Sequence, residues 1–75
     1  MGAISTLIVD DEELAREELS YLLREFRDVE ILGFAGNGVE ALQLIEDFDP
    51  DLVFLDVQMP GFDGLNVIRR LREKR

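Results

Sequence analysis

The sequence has no cysteine and no histidine. The first absence excludes a disulfide framework and any thiolate metal site, and leaves the redox compartment open. The second removes imidazole both as a base and as a metal ligand. Basic residues are also scarce, with eight Lys and Arg against seventeen Asp and Glu and a formal net charge of −9. Long-range attraction to nucleic acid or to anionic lipid is therefore not expected, and a cation is the more natural small partner. The apolar stretch within Met1 to Val9 is too short for a membrane span and has no basic flank of the secretory kind, which makes a cytoplasmic location the expectation.

What is present fits a small folded unit. The 75 residues are 47% hydrophobic and 33% charged, which suits one globular domain with a small core and argues against a disordered acidic tail. Thr6-Leu7-Ile8-Val9 is a short apolar run closed abruptly by Asp10-Asp11-Glu12-Glu13, the pattern of a buried parallel strand that ends and hands over to a helix. From Asp11 to about Arg27 the residues Ala15, Leu19, Leu22, Leu23 and Phe26 recur at helical spacing with charged residues between them. Val29 to Phe34 reads as a second strand, bounded by Asp28 and by Gly36-Asn37-Gly38. Asn37 is placed to cap a second helix whose buried stripe is Ala41, Leu42, Ile45 and Phe48 and which Asp49-Pro50 stops.

Leu52-Val53-Phe54-Leu55 is apolar without alternation, which predicts cover on both faces, and it again runs into a carboxylate, Asp56. After the turn-rich Met59-Pro60-Gly61 and Asp63-Gly64, the residues Leu65, Ile68 and Leu71 predict a last short helix. The order is βαβαβα, which implies a parallel sheet with right-handed crossovers in an α/β architecture.

Two segments carry a resemblance. Leu7-Ile8-Val9-Asp10-Asp11-Glu12 resembles the acidic pair after the first strand of the receiver domains of bacterial two-component response regulators. Leu55-Asp56-Val57-Gln58-Met59-Pro60-Gly61-Phe62-Asp63-Gly64 resembles the phosphorylation loop of the same family, with its Met-Pro and following glycine. The wording from Asp49 to Asp56 is nearest to regulators with a LytTR-type output domain. The resemblance implies a flavodoxin-like fold, here with strand order 2-1-3, and residues 1–75 as the N-terminal part of one receiver domain, without the fourth and fifth strands and their helices.

In that topology ligands bind beyond the C-terminal ends of the first and third strands, so Asp10, Asp11 and Asp56 are expected to converge. Three carboxylates in one cleft repel one another, and a divalent ion resolves the conflict. Mg2+ takes hard oxygen ligands and keeps several waters. By resemblance, Asp11 and Asp56 are its carboxylate ligands, the backbone carbonyl of Gln58 is a third, and Asp10 acts through water. Also by resemblance, Asp56 is the nucleophile that takes a phosphoryl group from a histidine kinase. Such transfer needs positioning and cation stabilisation and no histidine or cysteine base, so the module is not an enzyme beyond catalysing its own phosphorylation.

Plainer readings compete at each feature. Asp10 to Glu13 could serve as a helix cap and a partner of the helix dipole, roles compatible with metal binding. Asp56 could be an ordinary turn residue, although an apolar strand tip is an expensive place for an idle carboxylate. Gly36-Asn37-Gly38 lacks the spacing and the lysine of a nucleotide-binding loop. Asp47, Asp49 and Asp51 alternate as in a calcium loop, yet Pro50 interrupts them and Leu52 stands where the turn glycine belongs. Arg69, Arg70, Arg72, Lys74 and Arg75 fit a solvated helix end better than a nucleic-acid patch.

Two other function classes remain open at this point. A phosphohydrolase of the haloacid dehalogenase type also uses an aspartate at a strand tip, but it wants a second Asp where Gln58 stands. A structural half-domain that self-associates through an exposed third strand is the other. The resemblance favours it to this extent: the family's switching hydroxyl, aromatic residue and lysine belong to its fourth and fifth strands, so this stretch alone is not expected to complete a switch.

Overall fold

The computed structural model describes residues 3–56, 68–69 and 72–73. Its elements are β1 (Ile4–Val9), α1 (Glu13–Leu23), β2 (Val29–Ala35), α2 (Gly38–Phe48) and β3 (Leu52–Leu55). All strand pairings are parallel and the order is β2-β1-β3, so the chain crosses from one side of β1 to the other through α2. The predicted third helix lies largely outside the described residues, of which Ile68, Arg69, Arg72 and Glu73 are helical.

β1 is the centre of the molecule because it is hydrogen-bonded on both edges. Leu7, Ile8 and Val9 are buried, as is Thr6, whose hydroxyl donates to the Ile4 carbonyl at 3.0 Å and so brings no unsatisfied polar group inside. Alternation then divides the apolar residues between two faces. On one face Leu7 and Val9 pack with Ala41 and Ile45 of α2, Ala35 of β2 and the half-buried Leu44, Val53 and Leu55. On the other, Ile8 and Phe54 line a cleft with Ala15 and Leu19 of α1. In β3, Val53 and Leu55 thus pack on one face and Phe54 lies on the other, while Leu52 is 39% exposed, so the expected cover does not extend to the start of the strand.

The two crossover helices are unequal. α2 has a defined start, with the Asn37 side chain accepting from the Glu40 N–H at 2.9 Å while the Glu40 carboxylate accepts from the Gly36 N–H at 2.8 Å. The first bond satisfies a donor that a helix N-terminus otherwise leaves unpaired, and the second ties the helix back to the chain before its cap. Its C-cap, Asp49, is left-handed with φ 46°, which turns the chain into Pro50 as the sequence predicts. α1 buries no residue completely and ends at Leu23, four residues short of the expected Arg27. Leu22 and Phe26 consequently stand 60% exposed rather than on a buried stripe. Phe48, also expected inside, is 48% exposed at the last position of α2.

β1 begins two residues earlier than its apolar run, at Ile4, because β2 pairs with Ile4 and Ser5 through Val29 and Glu30. At that entry Ser5 and Asp51 bind reciprocally: Ser5 N–H and Oγ each donate to Asp51 Oδ2 at 3.0 Å, and Asp51 N–H donates to the Ser5 carbonyl at 2.9 Å.

Candidate functional site: an acidic cluster at the strand tips

At the opposite end of the sheet, β1 and β3 run out into Asp10 and Asp56. Neither residue belongs to a strand, yet both continue the ladder: Asp10 N–H donates to the Ala35 carbonyl and Asp56 N–H to the Val9 carbonyl, each at 3.0 Å. Their separation is therefore governed by the spacing of adjacent strands, about 4.8 Å. Asp11 follows at the bend between β1 and α1. Each of Asp10, Asp11 and Asp56 offers a carboxylate oxygen, and these oxygens all lie within 4.8 Å of one another. Asp10 and Asp56 are half-buried and Asp11 is exposed.

The three acids predicted from sequence are thus brought together. Gln58, the fourth predicted ligand, lies outside the described residues. One expectation is corrected. The run Asp10 to Glu13 does not cap α1 with a side chain: Glu12 is the N-cap residue and makes no such bond. Asp10 Oδ1 instead accepts from the Glu12 N–H at 3.0 Å, closing a turn before the helix begins. Only Glu13 sits in the first helical turn, where the dipole favours an acid.

Like charges at this separation repel by about 1 kcal/mol per pair even in a water-like dielectric, and more where the surroundings are less polar. The cluster opens onto a cleft of about 380 Å³ whose walls include Ile8, Val9, Phe54 and Leu55. Three convergent carboxylate oxygens, with no nitrogen or sulfur donor among them, form a donor set suited to a hard divalent cation such as Mg2+. A cation there would meet two half-buried carboxylates and one open to solvent.

Sequence reading passed over Arg16. This α1 residue is half-buried, and its Nη1 donates to the Asp10 carbonyl at 2.7 Å. The available signal was its place on the inward side of the helix with Ala15, Leu19 and Ser20.

Comparisons with known proteins agree with this geometry. The family described as response regulator receiver domain matches residues 6–75. The positive alginate biosynthesis regulatory protein of Pseudomonas aeruginosa is 50% identical over 72 residues, covering 95% of this chain and 29% of that protein. The sensory transduction protein LytT of Oceanobacillus iheyensis is 41% identical over 71 residues, with the same coverage of 95% and 29%, as the resemblance to LytTR-output regulators anticipates. The chain therefore spans about 29% of the length of such relatives.

Among solved structures, the signal receiver domain of the response regulator NarL from Mycobacterium tuberculosis superposes with a TM-score of 0.87 at 34% identity, covering 99% of this chain and 60% of that one. A chain from the complex of the CheA3 P1 domain with CheY6 of R. sphaeroides gives 0.84 at 29% identity, covering 99% and 58%. The parallel β2-β1-β3 sheet, the acids at the tips of its adjacent strands and a family match over nearly the whole length make one conclusion: the chain belongs to the response regulator receiver family of two-component signalling.

Proposed function

We propose that Asp56 is the phosphoryl acceptor of this receiver and that Asp10, Asp11 and Asp56 together seat Mg2+, in the N-terminal part of a single receiver domain formed by residues 1–75. The observation that carries this reading is the convergence of the three carboxylates at the tips of β1 and β3. Asp11 and Asp56 are assigned as direct ligands with the Gln58 backbone carbonyl, and Asp10 acts through water. When bound, Mg2+ neutralises the acids and the charge on the incoming phosphoryl oxygens.

The donor is a phosphohistidine of a histidine kinase, a partner supported by the CheA3 and CheY6 complex among the structural relatives. A carboxylate oxygen of Asp56 forms the new bond to phosphorus as the bond from phosphorus to the imidazole nitrogen breaks. The electron pair stays on that nitrogen. Because the transition state for such transfer is loose in most analyses, the chain's contribution is to hold the Asp56 carboxylate in line and to exclude competing geometry. Its backbone bond to Val9 does this by fixing where the side chain starts. The module accepts the group and has no separate substrate to turn over. A cytoplasmic location follows from the kinase as partner and accords with the finding that no described helix is long and apolar enough to cross a membrane.

Phosphorylation by a small phosphodonor with Mg2+ tests the assignment. Asp56→Asn abolishes acid-labile labelling, and the wild-type protein loses it on chelation with EDTA. Undiminished labelling of the Asn variant would remove Asp56 from the role.

A second reading concerns assembly. β3 is an edge strand among the described residues, with Leu52 39% exposed and Phe54 facing an open cleft. An edge of this kind is a template for pairing, and we infer that copies of this 75-residue chain associate through it.

A further inference from the structure

We propose that Arg16 is the positioning residue of the acidic cluster, holding the peptide between Asp10 and Asp11 so that the two side chains face Asp56. The proposal rests on the reading of that cluster as a Mg2+ site.

Arg16 is half-buried although Glu13, Glu17 and Glu18 around it are exposed. Among the described residues, its side-chain bond is to the main chain and not to a surface carboxylate. Nη1 donates to the backbone carbonyl of Asp10 at 2.7 Å, a short charge-assisted bond. The Asp10 carbonyl and the Asp11 N–H share one planar peptide unit. Fixing the carbonyl therefore fixes the direction in which the chain leaves β1 toward the second acid. Asp10 is then restrained at three points: its N–H by the Ala35 carbonyl, its Oδ1 by the Glu12 N–H, and its carbonyl by Arg16.

Gly36 belongs to the same device. A Cβ placed there would lie 3.3 Å from Arg16 Nη1 and 3.5 Å from Glu40 Oε1. The glycine thus leaves the room in which the guanidinium lies, at the exit of β2 and beside the capped start of α2. From its place on α1, Arg16 binds the chain at the exit of β1 and lies beside the exit of β2. Because its donor goes to a carbonyl, the Nη1 bond of Arg16 takes up no carboxylate oxygen of Asp10. A planar, permanently charged fork loses less freedom in such a contact than an ammonium would.

The test is a Mg2+ titration of the intact protein, followed through the amide signals of Asp10, Asp11 and Asp56 in 15N-edited NMR spectra. Arg16→Met weakens Mg2+ binding about tenfold, the scale expected of a partner that orients a metal ligand. Arg16→Lys, which keeps a charged donor, restores part of that loss. Gly36→Ala, which displaces the guanidinium while Arg16 stays in place, weakens binding in the same direction by about twofold or more, and decides the matter should Arg16→Met fail to fold. Binding by Arg16→Met or Gly36→Ala that equals or exceeds wild type overturns the proposal, the latter showing the guanidinium to be a competing charge. Absence of Mg2+-dependent shifts in the wild-type protein instead overturns the reading of the cluster on which the proposal stands.

Discussion

Asp10 and Asp11 are adjacent in sequence but do different work. Asp10 is half-buried and its carboxylate already accepts from the Glu12 N–H, whereas Asp11 is exposed at the bend before α1. A side chain held by the backbone is a poor direct ligand and a good anchor for water, and an exposed carboxylate beside it is the reverse. Asp11→Asn should therefore weaken Mg2+ binding by well over the factor of about ten expected for an orienting residue, while leaving thermal stability nearly unchanged. Isothermal titration against Mg2+ alongside a melting curve checks both halves. The acids were legible in the sequence because each interrupts an apolar run. Arg16 was not, since nothing in a charged residue on an amphipathic helix announces that its acceptor is a main-chain carbonyl six residues upstream.

The helices show where pattern reading succeeds and where it stops. α2 was readable at both ends because chemistry marks them: Asn37 at the start and Asp49-Pro50 at the stop. α1 had no such mark at its end, and the apolar spacing of Leu22 and Leu23 continued to Phe26 after the helix had turned at Arg24. Periodicity records which residues are apolar and is blind to whether anything waits to cover them. The Asn37 cap is open to a direct test. Asn37→Ala should cost about 1 kcal/mol, read as a lower urea midpoint at unchanged slope. Asn37→Ser should recover most of it, since the hydroxyl can also accept from the Glu40 N–H.

At the scale of the whole molecule, a single central strand organises everything. The parallel sheet followed from the alternation of elements and the handedness of crossovers, its order from the resemblance to receiver domains, and the convergence of the acids from that order. What the sequence could not disclose was the irregular register between β1 and β2, where Thr6 pairs with Ile31 but Leu7 pairs with Gly33. Leu32 is the extra residue, and it packs instead against the cluster of Leu7 and Ile45. Association through β3 belongs to this scale. Light scattering over a dilution series of the 75-residue chain should show mass falling as concentration falls. A folded monomer at every dilution would remove that reading, and Leu52→Lys should shift the equilibrium toward monomer by placing a charge on the pairing edge.

The reciprocal contact of Ser5 with Asp51 lies at the far end of the same two strands whose other ends carry Asp10 and Asp56. It acts as a pin through one end of a rail, with the bond from Asp56 to Val9 as the pin through the other. Two parallel rails pinned at both ends cannot slide past each other. A change at the Asp56 carboxylate, the proposed acceptor, is thereby denied the option of strand slippage within the β1–β3 pair and must be passed on by turning side chains.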